Sequence, residues 1–458
     1  MRVPTPMDMS NVPTRVKRRA YVSVRAKFAI AVAVGLVWTM FSVRIADGWI
    51  DELGALTHPL FSLVAISFIA FIPGFMNAFL VTTLLLDRRP LRTPQIAYPG
   101  VTVLVAAYQE EAAIADTIRS VAAADYCGLL EILVLNDGSR DRTSALARTA
   151  IAGLSLPPHV LVELVDFPVN RGKSAVLNDG LARAKHSLVV TVDGDSWLMR
   201  DSLTQIVERL LSDPPYTVAV AGAVLVRNSR ENLMTAAQEW DYFHGIAAVK
   251  RMQSMYHGTL VAQGAFSIYR TEALKEVGGW PDCVGEDIVV TWAMLEKGWR
   301  VGYAEDALVF TNAPTTFGQF AQQRKRWSRG LVEALRYHES LIFKPRLTTL
   351  FIWWNLLFLP LDLIYTFVFI PGVVMALLFG QYWIAGPMTL AILPLAGVWN
   401  LLIFRIQRGM FRRNGLTVRR NALGMLFYML VYALMMQPVC VWGYASELAG
   451  RRKSWGTK

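Results

Sequence analysis

The sequence predicts an α/β domain with a mixed, mainly parallel sheet and helices on both faces, inserted between transmembrane helices. Three observations carry this expectation. From Gly100 onward short β-branched runs alternate with helical segments, the pattern of strands joined by crossover helices. Apolar runs long enough to cross a bilayer flank that stretch on both sides. The 458-residue chain is also 54% hydrophobic and only 18% charged, too apolar for an ordinary soluble protein.

The elements follow in order. Residues 1–27 form a basic segment, with Arg15, Lys17, Arg18, Arg19, Arg25 and Lys27 ahead of the apolar run Phe28 to Val43. That run extends to Ile50 if Arg44 snorkels. The long basic lead and the lack of a small-residue cleavage site favour a retained anchor over a signal peptide. Leu60 to Leu86 carries no charge and is a second span, so residues 28–86 hold two transmembrane helices. The link between them, with Arg44, Asp47, Asp51 and Glu52, is net acidic and is expected outside, which returns the chain to the cytoplasm. Residues 87–349 then read as a cytoplasmic domain. Residues 350–446 hold about three apolar segments, Leu350 to Phe379, Trp383 to Phe404 and Ala422 to Ser446, with a basic cytoplasmic loop over 405–421. Three spans would place the basic tail 447–458, with Arg451, Arg452 and Lys453, outside and against the positive-inside rule. An interfacial position for one of the three is the alternative. Asp362 would cost roughly 2.5 to 3.5 kcal/mol at a bilayer centre, so it is expected to face protein or a polar cavity, or to mark a helix end.

Charge and cysteine usage exclude several classes. The net charge is +11, yet the basic segments 1–27 and 405–421 together account for the whole surplus. The rest of the chain is near neutral, which leaves no nucleic-acid-binding face. Cys127, Cys283 and Cys440 lie far apart and make no CxxC pair, and the six histidines show no short ligand spacing. Carboxylates are therefore the expected holders of any metal.

Within the domain, strands are expected at Val101 to Val105, Glu131 to Leu135, Val160 to Val165 and Leu188 to Val192, with helices from Glu110 to about Ala124 and near Thr143. Open α/β sheets bind ligands at the carboxyl ends of their strands. Those ends carry Tyr108, Gln109 and Glu110, then Asn136, Asp137, Gly138 and Ser139, then Asp193, Gly194 and Asp195. If strand geometry persists, Asp193 and Asp195 point to one side and suit a divalent cation; a polar turn explains the same residues. Asn170, Arg171, Gly172 and Lys173 suit phosphate at a helix start, or only cap it. Glu286 and Asp287 open an amphipathic helix, as caps or as a general base. Gln323, Arg324, Lys325, Arg326 and Trp327 read as juxtamembrane anchors, or as a phosphate clamp beside a flat platform for a sugar ring.

Taken together, these signals resemble the family 2 glycosyltransferases that are embedded in membranes and synthesise polysaccharides. The similarity covers Pro99 to Gly330 by motif. Within that family the layout is most similar to bacterial poly-β-1,6-N-acetylglucosamine synthases. The resemblance implies a nucleotide-sugar-binding fold of the glycosyltransferase A type. It implies inverting, processive transfer of a sugar, N-acetylglucosamine first, from a UDP-sugar donor to a growing glycan acceptor at the cytoplasmic face of a cell membrane, coupled to export. It assigns donor binding to Tyr108, Glu110, Asp137, Lys173, Asp193, Gln323 and Arg326, and Mg²⁺ or Mn²⁺ to Asp195 and Asp193. Asp287 with Glu286 would be catalytic, and Trp327 with Gly264 would face the acceptor. The chain departs from the family's Pro-x-Tyr-Asn-Glu over Ala106 to Glu110, where only Tyr108 and Glu110 carry over, and at Gln263 to Phe266. Membrane lipid surrounds such a protein, and a small membrane partner protein is a further candidate. A non-processive transferase acting on a lipid, or a transporter or scaffold, are the competing readings.

Overall fold

The computed structural model describes residues 22–88 and 92–451; the basic residues Arg15 to Arg19 and the tail residues Arg452 and Lys453 lie outside them. Eight strands form one mixed sheet in the order β3-β2-β1-β4-β7-β6-β8-β5. They are β1 (Val101–Ala107), β2 (Leu130–Asp137), β3 (Val160–Phe167), β4 (Leu188–Asp193), β5 (Trp197–Leu198), β6 (Thr217–Val226), β7 (Phe266–Arg270) and β8 (Arg300–Thr311). β1 runs parallel to both β2 and β4, and β2 parallel to β3. The four expected strands are therefore neighbours, and the carboxyl ends of β1, β2 and β4 open on one edge. β7 runs antiparallel between β4 and β6. This reversal brings the turn before β7, with Gly264, to the same edge.

Alternation along β1 explains the two-faced core. Val103 and Val105 pack with Ile118, Val134 and Leu203 on one face. Leu104 packs with Leu177, Trp292 and Leu331 on the other, in a cluster that continues into Phe79 and Phe351 of the flanking helices. The first crossover helix is Ile114–Ala122, shorter than the expected start at Glu110. A turn over residues 110–113 precedes it, tied down by Thr143 Oγ1, which accepts the Glu110 N–H at 2.8 Å.

Among the described residues, five helices are long and apolar enough to cross a membrane: Val24–Leu56, Pro59–Leu86, Thr349–Phe379, Pro387–Arg413 and Ala422–Leu448. The first runs past Ile50, through its charged end, where Arg44 pairs with Asp47 one turn on at 2.7 Å. Asp362 faces protein: it is buried and accepts the Tyr444 hydroxyl at 2.8 Å.

Candidate active site

The site is built where the strand ends meet two helices. Asp137, at the end of β2, is buried. Its carboxylate accepts the Asn170 side chain at 2.9 Å and the backbone N–H groups of Arg171 and Gly172 at 2.7 and 2.9 Å. The loop so fixed starts the helix Lys173–Arg183 and delivers Lys173 to the centre. The Lys173 ammonium sits 2.5 Å from Asp193 and 3.5 Å from Glu286 Oε1. Gly264 makes that reach possible, because a Cβ there would lie 2.5 Å from Lys173 Nζ. Burial alone would favour a neutral lysine, but the carboxylates of Asp193 and Glu286 outweigh it and hold the ammonium above its ordinary value.

Glu286 is the less compensated partner. Burial pushes its carboxyl up to about 7; Lys173 opposes the rise, Asp287 adds to it and the Arg326 guanidinium opposes it. Asp287 follows in the first turn of the helix Glu286–Glu296, where the positive end of the helix favours a carboxylate. Asp287 Oδ1 accepts the Ile288 N–H at 2.8 Å.

The helix Phe317–Tyr337 supplies the remaining wall. Trp327 is 40% exposed, and the Arg324 guanidinium lies 4.0 Å from its ring centroid. Arg324 is thus an arginine that stacks on the tryptophan. Arg324 is buried and bonds Asp241 and the Tyr432 hydroxyl, both at 2.7 Å. Gln323 is buried with its Oε1 lacking a hydrogen-bond partner among the described residues.

Asp193 and Asp195 do not stay on one side of a strand. β4 ends at Asp193, the chain turns, and Asp195 accepts the Thr311 hydroxyl at 3.2 Å while Asp193 takes Lys173. No group of three or more His, Cys, Asp and Glu side chains suited to a metal occurs among the described residues. Two carboxylates without histidine still fit Mg²⁺ or Mn²⁺, since such ions are held by one or two protein carboxylates with substrate phosphates and water. Tyr108 is exposed at the end of β1, and Glu110 is half-buried beside it.

Three features escape the sequence reading. Glu333 is buried and accepts the Val284 and Gly285 N–H groups at 3.2 and 2.8 Å, tying the start of the Glu286 helix to the Phe317 helix. Gly285 and Gly330 meet backbone to backbone: a Cβ on Gly285 would lie 2.5 Å from Gly330 Cα. A glycine inside a helical run, such as Gly330, signals close packing. Lys250 is buried and donates to the Val261 carbonyl; burial lowers its ammonium to about 8, with Asp287 opposing. Nothing in the sequence around Lys250 marks it.

Residues 99–330 match the profile of the family described as "Glycosyltransferase like family 2". The chain belongs to this family. It is 32% identical over 237 residues to a poly-beta-1,6-N-acetyl-D-glucosamine synthase of Staphylococcus aureus and 31% identical over 237 residues to one of Staphylococcus epidermidis, in each case over 52% of this chain and 55% of the relative. It thus spans about half the length of these curated relatives. A mannosyltransferase from Pyrobaculum calidifontis, solved with GDP-Man and Mn²⁺, superposes with a TM-score of 0.61 at 20% identity, over 85% of this chain and 99% of that one. The likeness establishes the glycosyltransferase A fold, and the family makes the protein a glycosyltransferase.

Proposed function

We propose that this glycosyltransferase moves N-acetylglucosamine from a UDP-sugar to a hydroxyl of a growing polysaccharide, with inversion and repeatedly, at the cytoplasmic face of a membrane. The observation that carries the reading is the Lys173 bridge, 2.5 Å from Asp193 and 3.5 Å from Glu286. It joins the strand end expected to hold the donor to the helix expected to hold the base. The curated relatives' name supports the choice of sugar and product.

In this reading Tyr108 and Glu110 border the nucleotide, and Asp137 acts through the loop that presents Lys173. Gln323 and Arg326 face the diphosphate side, where the buried Gln323 Oε1 is an acceptor for a sugar hydroxyl. Mg²⁺ or Mn²⁺ would be held by Asp195 and Asp193 and would offset charge on the departing diphosphate. The acceptor sugar lies on Trp327, near Gly264. The acceptor oxygen attacks the anomeric carbon, the bond from that carbon to the diphosphate breaks with its electron pair leaving on UDP, and the hydroxyl proton passes to Asp287. With Oδ1 occupied by the Ile288 N–H, Oδ2 is the oxygen that receives it. Glu286, near neutrality in its pKa, and Lys173 keep the charge around that carboxylate balanced.

The helix Ala422–Leu448 is best read as interfacial. Asn421, just before it, bonds the Ala236 carbonyl at 2.8 Å, and Glu447 at its far end takes Arg329 at 2.8 Å. Both ends thus sit on the catalytic domain, which supports four spans, with both termini on the cytoplasmic side and in accord with the positive-inside rule.

A second reading, transfer of one sugar to a membrane lipid, is favoured by a cavity of about 780 Å³ lined by Trp197, Trp240, Phe243, Phe310 and Phe404, beside the turn that carries Asp195. Sizing the labelled product made from UDP-N-acetylglucosamine, UDP-glucose and UDP-glucuronate in separate reactions tests the proposal. A polymer from UDP-N-acetylglucosamine supports it, and a single-sugar lipid product moves the function to the second reading.

A further inference from the structure

A second cavity, of about 580 Å³, lies away from the candidate active site, where two apolar helices leave the catalytic domain. Its wall includes Arg25, His257, Trp299, Lys344, Arg346 and Thr349, and no Asp or Glu among the described residues lines it. Arg25 stands in the first turn of Val24–Leu56 and Thr349 opens Thr349–Phe379, so the cavity sits at the start of two candidate spans. Lys344 and Arg346 each spend one donor on the end of the Glu286 helix, at the Glu296 carbonyl (3.1 Å) and the Leu295 carbonyl (2.6 Å). Lys344 is also 3.7 Å from the Glu296 carboxylate, which already takes His338. The cations are therefore held in place rather than neutralised one for one. Next to the lining residues in the chain, Phe343, which precedes Lys344, is 80% exposed and Trp353, one turn after Thr349, is 44% exposed, large apolar side chains near basic ones at the start of a candidate span.

We propose that this cavity binds the phosphodiester headgroup of an anionic membrane lipid. Arg25, Lys344 and Arg346 take the phosphate, Trp299 and His257 wall it, and Phe343 and Trp353 lie along the acyl chains. Basic pockets between membrane helices on the cytoplasmic side are suited to such headgroups. The exposed Phe343 and Trp353 beside it in the chain, at the start of a candidate span, favour a lipid over a free anion, which needs no apolar neighbours. The inference rests on the membrane reading of these helices.

The test is native mass spectrometry of the full-length protein released from bilayers of equimolar phosphatidylglycerol and phosphatidylcholine. Wild type should retain phosphatidylglycerol in preference, and Arg25→Gln with Arg346→Gln should cut that preference about tenfold or more. Because Arg346 also holds the Leu295 carbonyl, Arg25→Gln alone is the second variant, with a smaller loss in the same direction. Equal retention of the two lipids, or an undiminished preference in both variants, overturns the proposal. Displacement of the lipid by millimolar inorganic phosphate overturns it as well, in favour of a soluble anion. Flotation with phosphatidylcholine vesicles separates the two claims. A chain that does not float refutes the membrane reading and the lipid site with it, whereas one that floats without headgroup preference refutes the site alone.

Discussion

At the residue scale the account turns on Asp287, Glu286 and Trp327. Asp287→Asn should lower turnover by about 10² to 10⁴ while the donor still binds, because positioned proton transfer is worth that much; unchanged turnover would leave Asp287 a helix cap. Trp327 is 40% exposed, so Trp327→Ala should leave folding intact and raise the acceptor KM about three- to tenfold. Initial rates at varied acceptor and fixed donor decide this. Glu286 gives a pH signature. Its folded pKa is raised to about 7 from 4.5, so the folded state holds the proton more tightly than the unfolded one. Stability is then full below about 4.5 and is lost as pH rises through 7. Glu286→Gln should remove that loss, a difference on the order of 1 to 3 kcal/mol at pH 8, seen as a wild-type melting temperature that falls from pH 5 to pH 8 more steeply than the variant's. Glu286 and Asp287 were legible in the sequence because they open an amphipathic helix, and Trp327 because it ends the run from Gln323 that joins basic residues to a flat aromatic ring. Lys250 and Glu333 were not, nor was the bonding of Arg324 to Asp241 and Tyr432, since the partners Val261, Gly285, Asp241 and Tyr432 reach them only through packing.

At the element scale the crossing of the Glu286 and Phe317 helices sets the distance between base and platform. Gly330→Ala places a methyl 2.8 Å from Gly285 Cα. It should cost about 1 to 3 kcal/mol and slow transfer by displacing Trp327 from Asp287. A thermal midpoint and an activity both equal to wild type would show that the crossing is slack. The parallel strands β1 to β4 were readable from β-branched runs and their spacing. The antiparallel β7 was not, because strand direction leaves no mark in composition. Its reversal is nevertheless what brings Gly264 beside Lys173.

At the scale of the whole molecule, the composition announced helices in lipid, and five helices among the described residues meet the length and apolarity required. How many cross depends on contacts that hydropathy does not encode, such as Arg329 with Glu447. With four spans, Thr57→Cys, in the link between the first two apolar helices, should react with an impermeant maleimide on intact cells. Ala449→Cys, and the exposed Cys127 of the catalytic domain, should react only after lysis. Labelling of Ala449→Cys on intact cells would restore a fifth span.

The central claim is that Lys173, Asp193 and the Glu286–Asp287 pair form one transferase site. UDP release from UDP-N-acetylglucosamine by the purified membrane protein, with Mg²⁺ or Mn²⁺ and with and without Asp287→Asn, tests it most directly. The account predicts metal-dependent release that requires acceptor and falls at least about a hundredfold in the variant. Release at equal rates from wild type and variant would contradict it.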